Sequence, residues 1–274
     1  MNMMPRFLTA ILATAAALPA AATTHSTDYT DLWYLPAESG WGVNVIQQGD
    51  VVFATFFVYA SDGSAKWFSV SDGRSVASSP GQNTFTGALY ETRGSFYGGP
   101  WGGVSAQIQV GTATFTFTTS TTGTLQYTVN GVNVSKSIVR QTWRGNTLTG
   151  NYIGGFAANG TSCRNGIQNG PVSVTGGLIV GHSNFFNPTF QIQFNSGSNQ
   201  AATCTFNGSY AQEGKLGRVS GNWSCQIPGV SSPPVGTFTI TDIEANTKGI
   251  TARFNAADQN CNYDGYFGGI RNVL

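Results

Sequence analysis

The sequence predicts an all-β protein built from two antiparallel up-and-down barrels in tandem, about eight strands each. Three observations carry that prediction. Alternating apolar and polar residues recur from about residue 41 to the end, which is the period of a strand rather than a helix. The 36 glycines, with many Ser, Thr and Asn, supply the tight turns such a chain needs. An open eight-stranded sheet would leave two unpaired edges, and a chain with only 9% charged residues has little with which to protect them. Closing each sheet on itself removes both edges. Two β-sandwiches are the alternative architecture, but short hairpins favour an up-and-down order over the long crossovers of a Greek key.

Residues 1–22 read as a secretory signal peptide. Arg6 precedes an apolar stretch from Phe7 to Leu18, and Ala20, Ala21 and Ala22 form a small-residue site with cleavage expected after Ala22. The stretch falls short of the roughly 20 residues that span a bilayer. The expectation is a secreted or periplasmic protein with no membrane span.

Residues 23–145 are read as the first barrel, with strands near 42–48, 51–60, 64–71, 83–93, 104–109, 111–119, 123–130 and 132–143. Asn130-Gly131 is a strong two-residue hairpin signal. Residues 146–274 are read as the second, joined near Arg144–Asn146. Its strands fall near 149–157, 172–181, 188–195, 202–211, 216–225, 235–244, 248–255 and 262–271. The two halves share a style but do not align residue by residue.

All four cysteines lie in the second half. In an exported protein an even set suggests two disulfides. Cys204 and Cys225 flank a stretch whose midpoint is Glu213-Gly214, so a hairpin there would oppose them. That leaves Cys163 and Cys261 to tie the first strand of the half to its last. With no close Cys pair and two histidines, a zinc site is disfavoured and no metal or cofactor is expected. A net charge of +1 gives no electrostatic footprint for nucleic acid.

Glu38, in "PAESGWG", is the first candidate site. Beside Trp33 and Trp41 it could be desolvated and serve as a general acid, with Glu91 as the second carboxylate of a hydrolase. It could instead fasten a turn preset by Pro36, with Trp41 plugging a barrel end, by accepting backbone hydrogen bonds or pairing with Arg93 or Arg140. The fastening is the favoured reading. Phe53, Phe57 and Tyr59 share one strand face, which Trp67 can join from the next strand. They could stack on sugar rings or hold an apolar ligand, but with Ala54, Phe56 and Val58 apolar on the opposite face, core or interdomain packing is the favoured role. Asp242 and Glu244 alternate in "TITDIEAN", so their shared face should be wet. His25, at the start of the mature chain, and His182, in "GHSNFFNP", have no Gly-x-Ser-x-Gly elbow to serve. No phosphate loop or calcium loop is present in the sequence.

"YTDLWYLPAESGWGVNVIQQGD", "FATFFVYASDGSAKWF", "GALYETRG" and "GTLQYTVNGVNVSKSIVRQTW", covering about residues 29–143, resemble a β module of exported proteins of Gram-negative bacteria. The second half looks like a less sharply defined companion in which cysteines clasp strand pairs. The resemblance implies export and modularity; it implies no activity and no catalytic residues. Tyr34 stands where that module would have a second Trp. Together these readings favour a non-enzymatic binding or interaction module for carbohydrate or an apolar small molecule. Its candidate contacts are Phe53, Phe57 and Trp67 and a mouth lined by Trp33 and Trp41. An extracellular hydrolase using Glu38 and Glu91, or a structural cell-surface protein, are the alternatives.

Overall fold

The computed structural model describes residues 27–77, 79, 82–182, 189–195 and 201–272. The expected signal peptide and His25 lie outside them. Among the described residues there is no α-helix, only strands and one 3-10 turn at Pro36–Glu38. The first eight strands are β1 (Asp31–Tyr34), β2 (Gly42–Gln48), β3 (Val51–Tyr59), β4 (Ala65–Val76), β5 (Asn83–Gly94), β6 (Val104–Phe117), β7 (Thr122–Val129) and β8 (Val132–Arg140). Each pairs antiparallel with the next, and β8 returns to β1. The second eight are β9 (Gly150–Thr161), β10 (Gly170–Gly181), β11 (Thr189–Asn195), β12 (Ala201–Glu213), β13 (Leu216–Gln226), β14 (Val235–Ala245), β15 (Gly249–Asp258) and β16 (Asn262–Arg271). They repeat the scheme, and β16 closes on β9. The chain forms two closed up-and-down barrels.

Two expected strands of the first half, 104–109 and 111–119, are a single β6. It is bulged where Leu89 faces Gly111 and Tyr90 faces Gln109, leaving Val110 as the extra residue. A Cβ on Gly111 would run into the backbone of Thr128, so only glycine lets β7 approach there. The strand that restores the count is β1, whose four residues are too few to display a period. At the β7–β8 hairpin Asn130 and Gly131 have φ of 48° and 85°, as a two-residue primed turn demands. The β12–β13 turn falls on Gly214 and Lys215, one residue beyond the expected place, because Glu213 pairs with Leu216.

Inward positions fill each interior. In the first barrel Phe56, Phe85, Phe115 and Phe117 pack with Val43, Val45, Leu89 and Leu125. The outer faces of β5 and β6 carry threonines instead, with Thr86 and Thr114 hydroxyls 3.0 Å apart across the strands. On these two strands the outer face is hydroxylated, unlike the apolar band of a lipid-facing wall. No helix among the described residues is long and apolar enough to cross a membrane. In the second barrel the core includes Tyr152, Phe206, Phe238 and Phe254 together with Cys204 and Cys225. Both expected disulfides form, Cys163–Cys261 and Cys204–Cys225, the latter between directly opposed residues.

The two barrels close with the same device. Trp33 on β1 faces Arg140 on β8, and Tyr152 on β9 faces Arg271 on β16. Each guanidinium carbon sits 4.9 Å from the centroid of its aromatic ring. Each aromatic bonds back to the carbonyl four residues earlier: Trp33 Nε1 donates to Tyr29 and Tyr152 Oη to Leu148. Arg140 Nη1 donates to the carbonyl of Thr30, and Arg271 Nη1 to that of Thr149, both at 3.1 Å. Their Nε groups reach the carbonyls of Ser120 and Asn246, each in the loop two strands before the end. The amides of Gln141 and Asn272 then donate to Leu32 and Asn151. The halves therefore correspond position by position at their seams.

The barrels meet where the Gly214-Lys215 turn docks on the first seam. Asp31 Oδ2 accepts from Arg140 Nη1 and from the Lys215 amide. Lys215 Nζ reaches Asp28, and the Gly214 amide donates to Thr142. Asn146 then binds Gln212 and the Lys215 carbonyl. Gly214 has φ of 64°, and a Cβ there would strike Asp31 and Arg140.

Candidate binding surfaces

At the first barrel's end away from the join, Pro36 presets the 3-10 turn that delivers Glu38. Lys136 Nζ, from β8, lies 2.6 and 2.8 Å from its two oxygens, and Trp41 Nε1 donates to Oε2 at 3.1 Å. The same ammonium is 5.9 Å from the centroid of the Trp41 ring. The Lys136 hydrogen bond, aided by that of Trp41, lowers the Glu38 pKa despite some desolvation. A general acid needs the opposite shift. Glu38 is tied to β8 through Lys136. The expected arginines are engaged elsewhere: Arg140 is at the seam, and Arg93 lies 3.9 Å from Glu91.

Glu91 pairs with Lys66 at 2.9 Å. Lys66 is on β4 and Lys136 on β8, four strands apart around the ring, so the two ion pairs brace opposite walls of the mouth. Trp41 is partly buried at this mouth and packs against the core. Trp33 is not there. It is 0% exposed at the seam, packed against Arg140 and against the tilted ring of Phe117, where no ligand reaches it.

The aromatic row on β3 and β4 is presented outward. Phe57 directly opposes Trp67, and the rings are 53% and 49% exposed. Phe53 opposes Ile46 on β2, and both are exposed. Between these two apolar rows runs a polar one, Asn44, Thr55 and Ser69 in register, of which Ser69 is buried and Asn44 and Thr55 are partly accessible. Tyr59 continues the face and is held by its hydroxyl donating to Gly40. The alternate residues Ala54 and Phe56 point into the core. With the inner face filled, the outer face is the one a partner can reach.

Sequence reasoning passed over the β5–β6 loop. Phe96, Tyr97 and Trp101 are all strongly exposed there, Tyr97 at 96%, in a glycine-rich stretch, "GSFYGGPWGG", whose composition was the available signal. His182 lies at the base of the second barrel, edge-on to Tyr210, with its amide donating to Thr149. Burial pushes Tyr210 up to about 12. Asp242 and Glu244 do line a common surface groove, although a bulge with Asp242 at φ 55° breaks their simple alternation. Among the described residues no group of three or more His, Cys, Asp or Glu could hold a metal ion. No protein-family model, curated protein or solved structure matches the chain.

Proposed function

We propose that the protein is an exported, non-catalytic binding module that holds a neutral polysaccharide on the outer face of β2–β4. The observation that carries this reading is the opposed, half-exposed pair Phe57 and Trp67 beside the uncharged, partly accessible Asn44 and Thr55. Flat rings suit the C–H faces of sugars, and hydroxyl and amide groups suit their hydroxyls. A chain with 9% charged residues offers little to a strongly charged partner. An apolar small molecule would need a cavity, and aromatic side chains fill the first interior. The lowered proton affinity of Glu38 argues against the hydrolase reading. Two disulfides fit an extracellular or periplasmic setting, where such polymers occur.

The test is retention on insoluble cellulose, chitin, xylan and peptidoglycan, followed by titration. Phe57→Ala and Trp67→Ala should each weaken binding about tenfold, the equivalent of one ring stack. Their unfolding free energies should stay within about 0.5 kcal/mol of the parent, as for other exposed positions. Failure of the parent on every polymer, or equal binding by the variants, would sink the proposal.

A further inference from the structure

The docking of one barrel on the other leaves a cleft of about 650 Å³ between them. One wall is the 118–122 turn of the first barrel with Gln82 and Asn83; the other carries Glu213, Arg218 and Asp242 of the second. Most of the lining is uncharged hydroxyl and amide, and its one aromatic ring, Tyr29, is 2% exposed. The volume suits a small-molecule ligand, and a domain interface is a preferred place for one.

We propose that this cleft binds a soluble, neutral saccharide of one or two rings. Charges of both signs face it and sum to zero: Glu213 and Asp242 against Arg218 and Arg253. A balanced lining selects neither an anion nor a cation. The side chains of Glu213, Arg218 and Asp242 make no hydrogen bond or ion pair with one another or with other described residues. Glu213 and Asp242 are nevertheless partly buried. Carboxylates and guanidinium groups left open in this way form charge-assisted hydrogen bonds with hydroxyl groups, which both donate and accept. An apolar ligand would strand these groups unpaired. The site shares no residue with the aromatic face of β2–β4, so the two assignments stand or fall separately.

The test is calorimetric titration of the full chain with glucose, galactose, maltose and cellobiose, with glycine and inorganic phosphate as charged comparators. The expected result is saturable binding of at least one saccharide with Kd on the order of 1 mM or tighter. Asp242→Asn and Arg218→Gln should each weaken it about tenfold or more. Asn tolerates a positive φ, so the first variant keeps the bulge, and its melting temperature verifies that. No saccharide binding, binding of glycine or phosphate alone, or parent-like affinity in both variants would overturn the proposal.

Discussion

Arg140 and Arg271 hold the same place in the two barrels, yet their surroundings differ. Arg140 is 4% exposed, roofed by the Gly214 turn of the other barrel and paired with Asp31. Arg271 is only partly buried, and the position matching Asp31 is Gly150, where a Cβ would press on the guanidinium. The opposite ends differ as well. The first barrel's far mouth is braced by the pairs Glu38–Lys136 and Lys66–Glu91, the second's by two disulfides. The aromatic–arginine seam is thus the common element, and what fastens the other end is free to vary. The first barrel, without covalent ties, also carries the exposed aromatic residues of β3, β4 and the β5–β6 loop.

The sharpest way to break this comparison is at the two arginines. Arg140→Leu should cost about 3–5 kcal/mol, because it takes a buried guanidinium away from the partly buried Asp31 and leaves several carbonyls without their donor. Arg271→Leu should cost only about 1–2 kcal/mol in the same denaturant titration. Equal losses would mean the roof over the first seam contributes nothing. Next, Cys204→Ser with Cys225→Ser should remove about 3 kcal/mol from the second barrel. Hydrogen exchange should show the first barrel's protection unaffected.

Gly214→Ala should cost about 1–2 kcal/mol through its left-handed backbone. The crowding against Arg140 and Asp31 should loosen the join, read as a wider envelope in small-angle scattering. The smallest effect is electrostatic. Glu38 has a folded pKa below its ordinary 4.5, so its pairing stabilises the fold above that value and is lost as pH falls through the folded pKa. Glu38→Gln should therefore lower the melting temperature slightly at neutral pH, match the parent at acid pH, and so flatten the acid limb of stability against pH.

Period-2 runs and turn residues made the strands legible, and the cost of open edges made closure legible. Glycine and Asn placed the β7–β8 turn correctly for the reason given by their positive φ. Three things were hidden. β1 was too short to show a period, and the break at Gly111 looked like a strand end when it was a bulge. The seam was invisible because Trp33 and Tyr152 differ in type, and each finds its arginine more than a hundred residues away. For the candidate site, the parity of Phe53, Phe57 and Trp67 was readable from alternation. Trp33 was misplaced at a mouth because its distance from Trp41 depends on how the barrel closes. Lys136 was missed as the partner of Glu38 for the same reason.

Hydroxyl-radical footprinting of the full chain, free and bound to the polysaccharide that retains it, tests the central claim most directly, since it reads each aromatic side chain's access to solvent. The account predicts protection of Phe57 and Trp67, with Phe53 following and the second barrel unchanged. Protection confined to Phe96, Tyr97 and Trp101, or to the second barrel, with Trp67 oxidised as in the free protein, would contradict it.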